Sequence, residues 1–260
     1  MPGALTADRV ELLEMGIDRV TGEEAVQRLA GSRQGGCVLT PNLQHLRAFR
    51  RSPAIADAYR RCELVLPDGM PLVWASRLQG TPLPGRVPGS DLIFSLSEAA
   101  AESGRSLFLL GGSPGTAEQA GSELSRRYPG LRVCGTLCPE PGFEHSPREL
   151  DEIAAHVAAA DPDLVYIGLP LEKQLAVMEV LRQAVPQAWQ VGLGVSFSFV
   201  CGDVRRAPAP IQRLGLEWAY RLSQEPRRLM RRYLLEGIPF FFVLMTRTAL
   251  GRFAGIAQLR

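Results

Sequence analysis

The sequence predicts an α/β fold, namely a doubly wound, mostly parallel Rossmann-like sheet with a helical, basic C-terminal appendage. Short apolar runs without polar alternation recur along residues 1–204, as is typical of strands buried on both faces of a parallel sheet. These runs alternate with segments of helical period. After residue 204 the runs give way to clustered arginines. We therefore expect an α/β domain over residues 1–204 and an appendage over 205–260.

The composition is that of an ordinary globular protein, with 46% hydrophobic and 22% charged residues in a chain of 260. The net charge of +2 hides an asymmetry, since residues 205–260 contain eleven arginines and three glutamates. That segment carries about +8, which leaves about −6 for residues 1–204. A basic terminal segment suggests phosphates, an anionic membrane or a nucleic acid. Few aromatic residues lie among the arginines, so we expect no nucleic-acid partner.

The N-terminus lacks the apolar core of a secretory signal, and five scattered cysteines fit a reduced cytosolic compartment. Cys134 and Cys138 lack nearby partners for a zinc site. Asp161 and Asp163 form an Asp-x-Asp pattern, but they precede their strand, whereas ligands of a parallel sheet bind after the strands. We therefore predict no metal and no cofactor.

One apolar run, residues 64–66, ends in Pro67-Asp68-Gly69. This pattern predicts a buried strand that delivers Asp68 to the carboxyl edge of the sheet, where parallel α/β folds bind ligands. The alternative is a simple turn aspartate, because Asp-Gly is a common turn signal. A second short strand, residues 37–39, runs into a turn in which Thr40 and Asn42 can hydrogen-bond a ligand.

Helix signals separate the strands. Thr21 and Glu24 form a capping-box pattern that predicts a helix over 25–30. Residues 45–61 are helical in pattern and interrupted near Pro53. Further strands are predicted at 106–110, 131–134, 164–169 and 190–194, with helices at 92–102, 116–128 and 147–160. In the loop over 80–91, Asp91 is a possible cap of the helix that follows.

The strand over 106–110 ends in the glycine-rich turn Gly111-Gly112-Ser113-Pro114-Gly115, and Thr116 opens a helix. A strand, a glycine-rich turn and a helix N-terminus make a ready phosphate site, although a plain βα turn has the same pattern.

In the appendage, residues 215–222 and 226–235 have helical period. The apolar run over 238–245, flanked by Arg232 and Arg247, is too short for a transmembrane helix and fits a segment in the membrane interface. The alternative is a core or oligomer helix.

Several motifs together resemble the WecG/TagA/CpsF family of bacterial glycosyltransferases over residues 10 to 235. They are Thr40-Pro41-Asn42, Pro67-Asp68-Gly69, Arg86-Val87-Pro88-Gly89-Ser90-Asp91-Leu92, Gly111-Gly112, Lys173-Gln174, Arg206-Ala207-Pro208, Gly215-Leu216-Glu217-Trp218, Arg221-Leu222 and Glu225-Pro226-Arg227-Arg228.

The resemblance implies an inverting, metal-independent transfer of an N-acetylmannosamine-like sugar, or its uronic acid, from a UDP-sugar donor. The acceptor would be a lipid-linked sugar on undecaprenyl diphosphate, in teichoic acid, common antigen or exopolysaccharide synthesis. The protein would be cytoplasmic and peripheral on the inner face of the plasma membrane, and a homo-oligomer remains open. Asp68 would be the catalytic base, and Arg221, Arg228 and Arg231 would meet diphosphate groups. The expected substrate-binding residues are Thr40, Asn42, Arg86, Gly89, Asp91, Gly111, Gly112 and Gln174.

The sequence departs from the family pattern at two places. Gly168-Leu169-Pro170-Leu171-Glu172-Lys173-Gln174 stands where the family has Gly-Leu-Gly-x-Pro-Lys-Gln, and Ser198 follows Phe197 where an aspartate is usual. Both departures concern the donor sugar more than the reaction class. Two other functions stay open, a nicotinamide-dependent oxidoreductase and a non-enzymatic nucleotide-binding protein at the membrane surface. The first would need a fuller Gly-x-Gly-x-x-Gly turn than residues 111–115 provide.

Overall fold

The computed structural model describes residues 8–204, 207–213 and 215–258, apart from the side chains of residues 209, 213, 228 and 252–258. The strands are β1 (Arg9–Leu12), β2 (Met15–Asp18), β3 (Gly36–Leu39), β4 (Leu64–Val65), β5 (Ser106–Gly111), β6 (Arg132–Leu137), β7 (Leu164–Gly168) and β8 (Trp189–Gly192). The first helices are α1 (Gly22–Gly31), α2 (Leu43–Arg51), α3 (Pro53–Arg60), α4 (Met70–Gln79), α5 (Gly89–Glu102), α6 (Thr116–Arg127), α7 (Pro147–Ala160), α8 (Leu171–Ala184) and α9 (Ser196–Cys201). The C-terminal helices are α10 (Ala209–Arg213), α11 (Glu217–Gln224), α12 (Pro226–Met230), a π-helical segment (Arg231–Gly237) and α13 (Ile238–Gln258).

Six strands form one parallel sheet in the order β4-β3-β8-β7-β5-β6, which confirms the predicted doubly wound α/β fold. Successive residues of a strand point to opposite faces. Thus Leu107 and Leu109 belong to the core cluster that includes residues of α1, α5, α6 and α9. Phe108 and Leu110 belong to the cluster on the other face, which includes residues of α2, α3, α7 and α8. Because helices cover both faces, the strands are apolar throughout, as their sequences indicated.

A β-hairpin of β1 and β2 precedes the sheet and was not predicted. Leu13 and Glu14 both have positive φ in its turn, the geometry of a two-residue turn that matches strand twist. Asp18 at the end of β2 is fully buried. Its carboxylate accepts hydrogen bonds from the Val65 N–H at 2.6 Å and from Arg9 Nε at 3.0 Å. The Asp18 hydrogen bond to Val65 therefore holds the hairpin against β4, the strand that precedes Asp68.

Most helix signals are confirmed, since Thr21 and Glu24 form both halves of a capping box at α1. The break near Pro53 separates α2 from α3. The suggested Asp91 cap is wrong, because α5 begins at Gly89 after Pro88 and Asp91 lies in its first turn. Proline fits that boundary, since its ring disfavours helical backbone in the residue before it and presets its own φ.

The appendage packs on the side of the sheet that carries α2 and α4. The Trp74 and Phe241 rings meet edge to face with centroids 6.2 Å apart. Gln44 Nε2 donates to the Arg232 carbonyl at 2.6 Å. The C-terminal helices therefore stand beside the carboxyl edge of the sheet.

The apolar run of the appendage is part of a longer helix than the sequence suggested. Arg231–Gly251 is long and apolar enough to cross a membrane by length and composition, and 17% of this segment is buried. The apolar run over 238–245 is too short by itself to cross a membrane, but the helix that contains it, α13, continues to Gln258. Among the side chains of α13 that the structure describes, the exposed large apolar ones are Ile238, Phe242, Val243 and Leu250.

Candidate active site

The carboxyl ends of three strands are tied together where the sequence placed the site. Thr40 Oγ1 donates to the Gly192 carbonyl at 2.9 Å, which joins the end of β3 to the end of β8. The Asp68 N–H donates to the Pro41 carbonyl at 2.8 Å, which joins the end of β4 to the Thr40 turn. Thr40 and Asp68 thus lie on one rigid edge, as predicted.

Asp68 is partly buried, three residues beyond β4. Burial raises the pKa of its carboxyl to about 7, and the negative charge of Glu217 contributes to the increase. The guanidinium groups of Arg86 and Arg221 oppose this shift, and Asp91 adds to it. A carboxyl whose pKa lies near neutrality is well suited to take a proton from a hydroxyl group.

Arg86 approaches the same place from the loop before α5. The Val87 N–H donates to the Pro67 carbonyl at 2.7 Å, so this loop lies against the Asp68 segment. The Arg86 side chain then reaches into the appendage. Its Nη1 pairs with the Glu217 carboxylate at 2.8 Å, and its Nη2 donates to Gln212 Oε1 at 3.0 Å.

Arg221, on α11, contributes a second guanidinium to the site. Its Nε is buried and lacks a hydrogen-bond partner among the described residues, while its Cζ lies 5.7 Å from the centre of the Phe199 ring. A buried donor of this kind is costly unless a bound acceptor satisfies it. The orphaned Nε therefore fits an anionic ligand that arrives from solution.

The other two predicted arginines are less informative. Arg231 is largely exposed, and its Nε lies 3.6 Å from the Glu236 carboxylate. The Arg228 side chain lies outside the described residues, as does Arg206 of the family motif.

The predicted glycines shape the rest of the edge. Gly111 and Gly112 both have positive φ, and the Gly112 N–H donates to the Gly168 carbonyl at 2.9 Å. A Cβ on Gly112 would lie 3.1 Å from Thr116 Cβ, so a side chain there would crowd the N-terminus of α6. A Cβ on Gly89 would lie 3.3 Å from the Leu193 backbone. These glycines bring the N-termini of α5 and α6 to the sheet edge, where helix N–H groups can bind an anion.

The remaining predicted residues differ in what they contact. Asn42 Oδ1 caps α2 by accepting hydrogen bonds from two backbone N–H groups. Gln174 is buried on α8 with its amide against Gly192, below the Thr40 bond. Asp91 is exposed, and its negative charge contributes to the raised pKa of Asp68.

The departures from the family pattern have structural surroundings of their own. Pro170 stands just before α8, and Lys173 pairs with Glu144 at 3.1 Å. Phe197 packs closely on Gly168, since a Cβ on Gly168 would lie 2.7 Å from the Phe197 ring.

The Asp-x-Asp pattern lies at the other edge of the sheet, where Asp163 accepts two hydrogen bonds from Ser106 at the amino end of β5. Among the described residues no cluster of His, Cys, Asp and Glu could hold a metal ion.

Sequence reasoning missed two polar residues of the site, Gln212 and Glu217. Glu217 belongs to the family motif in the appendage, but the sequence alone assigned it no role. Its contact with Arg86 joins residues 131 positions apart, and only the folded chain reveals such a pair.

A doubly wound sheet with a titratable carboxyl and two arginines at its carboxyl edge defines a class of anion-binding α/β enzyme sites. Comparison with known proteins is more specific. A sequence model described as "Glycosyl transferase WecG/TagA/CpsF family" matches residues 10–254. The chain belongs to this family, and it is a hexosyltransferase-type glycosyltransferase, which excludes the oxidoreductase and the non-enzymatic alternatives.

Two curated relatives carry the name N-acetylglucosaminyldiphosphoundecaprenol N-acetyl-beta-D-mannosaminyltransferase. The protein from Bacillus spizizenii is 32% identical over 198 residues, which is 76% of this chain and 75% of the relative. The protein from Bacillus subtilis is 32% identical over 197 residues, with the same two shares.

Proposed function

We propose that this protein transfers an N-acetylmannosamine-like sugar from a UDP-sugar to a sugar carried on undecaprenyl diphosphate. The observation that carries the proposal is Asp68, a carboxyl of raised pKa flanked by Arg86 and Arg221 at the sheet edge. The names of the two Bacillus relatives support the acceptor class and the N-acetylmannosamine donor.

Asp68 is the proposed general base. Its carboxylate takes the proton from an acceptor hydroxyl as that oxygen attacks the anomeric carbon of the donor. The bond from the anomeric carbon to the diphosphate oxygen breaks on the opposite face, so the configuration inverts. A pKa near 7 leaves a large share of Asp68 ionised at neutral pH while keeping the carboxylate basic.

The arginines are proposed to stabilise the leaving diphosphate without a metal. Arg221 offers a buried Nε that lacks a partner among the described residues, and Arg86 offers a guanidinium held in place by Glu217 and Gln212. Guanidinium groups and helix N-termini are the protein groups that bind phosphate oxygens best in the absence of a cation. Thr40, Gly89, Gly111, Gly112 and Gln174 surround the same edge and are proposed to shape the donor pocket.

The appendage is proposed to hold the protein on the cytoplasmic membrane surface, where a lipid-linked acceptor resides. Leu235 is 72% exposed and Phe242 is 62% exposed. Arginines on the same segment include Arg231 and Arg247, which would face anionic headgroups. Exposed apolar side chains beside arginines are typical of segments that lie in the interface.

The deciding experiment compares the wild type, Asp68→Asn and Asp57→Asn in transfer from radiolabelled UDP-N-acetylmannosamine to N-acetylglucosaminyl-diphosphate-lipid. Asp68→Asn should lose roughly 10²–10⁴-fold in kcat, the usual weight of a general base, and should still bind UDP. Asp57 is an exposed aspartate on α3, so the same substitution there should leave turnover unchanged.

Three further readouts separate the parts of the proposal. Near-normal turnover by Asp68→Asn would remove Asp68 from the mechanism. Full activity in the presence of a chelator is expected, and a loss restored by a divalent ion would overturn metal independence. Nuclear magnetic resonance of the product should show an inverted anomeric centre.

A further inference from the structure

Two of the five cysteines form a buried pair near the amino ends of β3 and β4, whereas Asp68 lies beyond the carboxyl end of β4. Cys37 lies on β3, and Cys62 lies two residues before β4, the parallel neighbour of β3. Both thiols are free and buried, and the two residues line one small cavity within the same apolar core. Because Val38 of β3 pairs with Leu64 of β4, the two cysteines lie on adjacent chain segments, where a disulfide needs little backbone movement.

The surroundings of Cys37 favour its thiolate. Arg182 Nη2 lies 3.3 Å from Cys37 Sγ, while its Nη1 pairs with Glu63 at 2.8 Å. Gln190 satisfies the Met178 carbonyl and the Arg182 N–H only when its amide nitrogen points to Met178. In that orientation this nitrogen also lies 3.6 Å from Cys37 Sγ. A guanidinium and an amide N–H then both face one sulfur atom.

The two thiols differ accordingly. The neighbouring Cys62 thiol and the charge of Arg182 hold the pKa of the Cys37 thiol below its usual value, although burial acts in the opposite direction. The neighbouring Cys37 thiol and burial raise the pKa of the Cys62 thiol. An acidic thiol beside a neutral one matches the division between an attacking and a resolving cysteine.

Both cysteines line one small cavity. Cys37, Cys62 and Arg182 line it together with residues of α3 and α8, and it has room for about one water-sized molecule. A surface groove between α3 and α8 lies next to this cavity, and Arg61 and Glu179 line both. These two side chains are more than half exposed and form an ion pair at 2.9 Å. Such exposed pairs contribute only about 0–1 kcal/mol, so this entrance opens at little cost.

We infer that Cys37 and Cys62 are a peroxide-oxidisable thiol pair that closes to a reversible disulfide in the folded protein. The Cys37 thiolate attacks one oxygen of hydrogen peroxide, the O–O bond breaks, and a sulfenic acid and hydroxide form. The Cys62 thiol then attacks the sulfenic sulfur, the S–O bond breaks, and the disulfide forms. The Cys62 proton leaves with the departing hydroxide as water, so two thiols and one peroxide give one disulfide and two waters.

The test treats the full-length protein with a small excess of hydrogen peroxide, followed by thiol counting and peptide mapping. We expect the count to fall from the five cysteines of the sequence to three, with Cys37 and Cys62 joined in one peptide pair. Dithiothreitol should restore all five. Cys134, Cys138 and Cys201 serve as internal controls, because burial raises the pKa of each of these thiols.

Two variants examine the order of the steps. In Cys62→Ser, dimedone should trap a sulfenic acid at Cys37, whereas Cys37→Ser should give no trapped product at Cys62. Arg182→Gln should slow the oxidation of Cys37 several-fold. The wild-type peptide map decides the inference even if these variants fold poorly.

Three results would overturn the inference. In the first, Cys134, Cys138 or Cys201 is oxidised before Cys37. In the second, Cys37 proceeds to a sulfinic acid while Cys62 stays reduced. In the third, the disulfide forms only when urea has unfolded the chain.

Discussion

Arg86 and Glu217 form an ion pair of 2.8 Å that joins the loop before α5 to the first turn of α11. Both side chains are about one-fifth exposed, at 19% and 20%. The pair stands beside Asp68. The charge of Glu217 raises the pKa of the Asp68 carboxyl, and the charge of Arg86 lowers it. The docked appendage therefore supplies a charge that helps to set the protonation of the proposed base.

Neutralising Glu217 should shift the pH dependence of transfer. In Glu217→Gln the pKa of Asp68 falls, because the second largest cause of its increase is removed. The acid limb of the kcat/KM profile, which reports the free enzyme, should therefore move to lower pH, and a pH–rate series with UDP-sugar and lipid-linked acceptor measures it.

Glu236→Gln is the matched control for this shift. Glu236 also anchors the appendage, through Arg47 at 2.7 Å, but its charge is not among the main causes of the Asp68 shift. An equal displacement of the acid limb in both variants would mean that docking of the appendage, and not the Glu217 charge, sets the profile.

Asp68→Asn should make the free protein more stable at pH 8 than the wild type. The folded-state pKa of Asp68 is about 7, above the ordinary value of an aspartate, so the folded state binds the proton more tightly. The wild type therefore loses stability as pH rises from about 4 to about 7, by roughly 1.4 kcal/mol per pKa unit at most.

The asparagine variant avoids this loss, so its melting temperature should exceed that of the wild type by a few degrees at pH 8. At pH 4 the two proteins should melt nearly together, because the wild-type carboxyl is then protonated in the folded state. The same gain at both pH values would show that packing, and not ionisation, separates them.

The sequence predicted the parts of the site that local chemistry determines. Asp68 follows a buried strand, Thr40 follows another, and the glycines at 111 and 112 adopt the positive φ that such a turn requires. Capping at Thr21 and the break at Pro53 are likewise local, since each depends on residues within four positions.

What the sequence left out depends on contacts between distant residues. The β1–β2 hairpin is held by Asp18 against Val65, 47 positions away, and its short strands lack a strong signal of their own. Asn42 was predicted to contact a ligand, and in the structure its side chain caps α2, a role that the same turn pattern also allows. The length of α13 was underestimated because its helical pattern continues past the apolar run.

Gly192→Ala should destabilise the protein by about 1–3 kcal/mol, the usual cost of overpacking a close contact. A Cβ on Gly192 would overlap the buried amide of Gln174. The free energy of unfolding in urea measures the loss, and Gly31→Ala is the control because a Cβ there would meet no atom within 4 Å.

The double variant Gly192→Ala with Gln174→Ala shows whether the overlap is the cause. Since the shorter side chain makes room for the methyl group, the double variant should be more stable than the sum of the two single changes predicts. Simple additivity would place the cost in the β8 backbone instead.

Placing a charge on the apolar face of the appendage should release the protein from membranes. In the double variant Leu235→Glu with Phe242→Glu, two exposed apolar side chains become anionic, so both the apolar contact and the attraction to anionic lipid weaken. Co-sedimentation with vesicles of phosphatidylglycerol and phosphatidylethanolamine should show a loss of about tenfold or more in the bound fraction at limiting lipid.

Gln119→Glu adds one negative charge to an exposed position of α6, and it should sediment as the wild type does. If the double variant sediments as well as the wild type, the membrane contact lies on another surface. If Gln119→Glu is released equally, net charge alone governs binding and the apolar face contributes nothing.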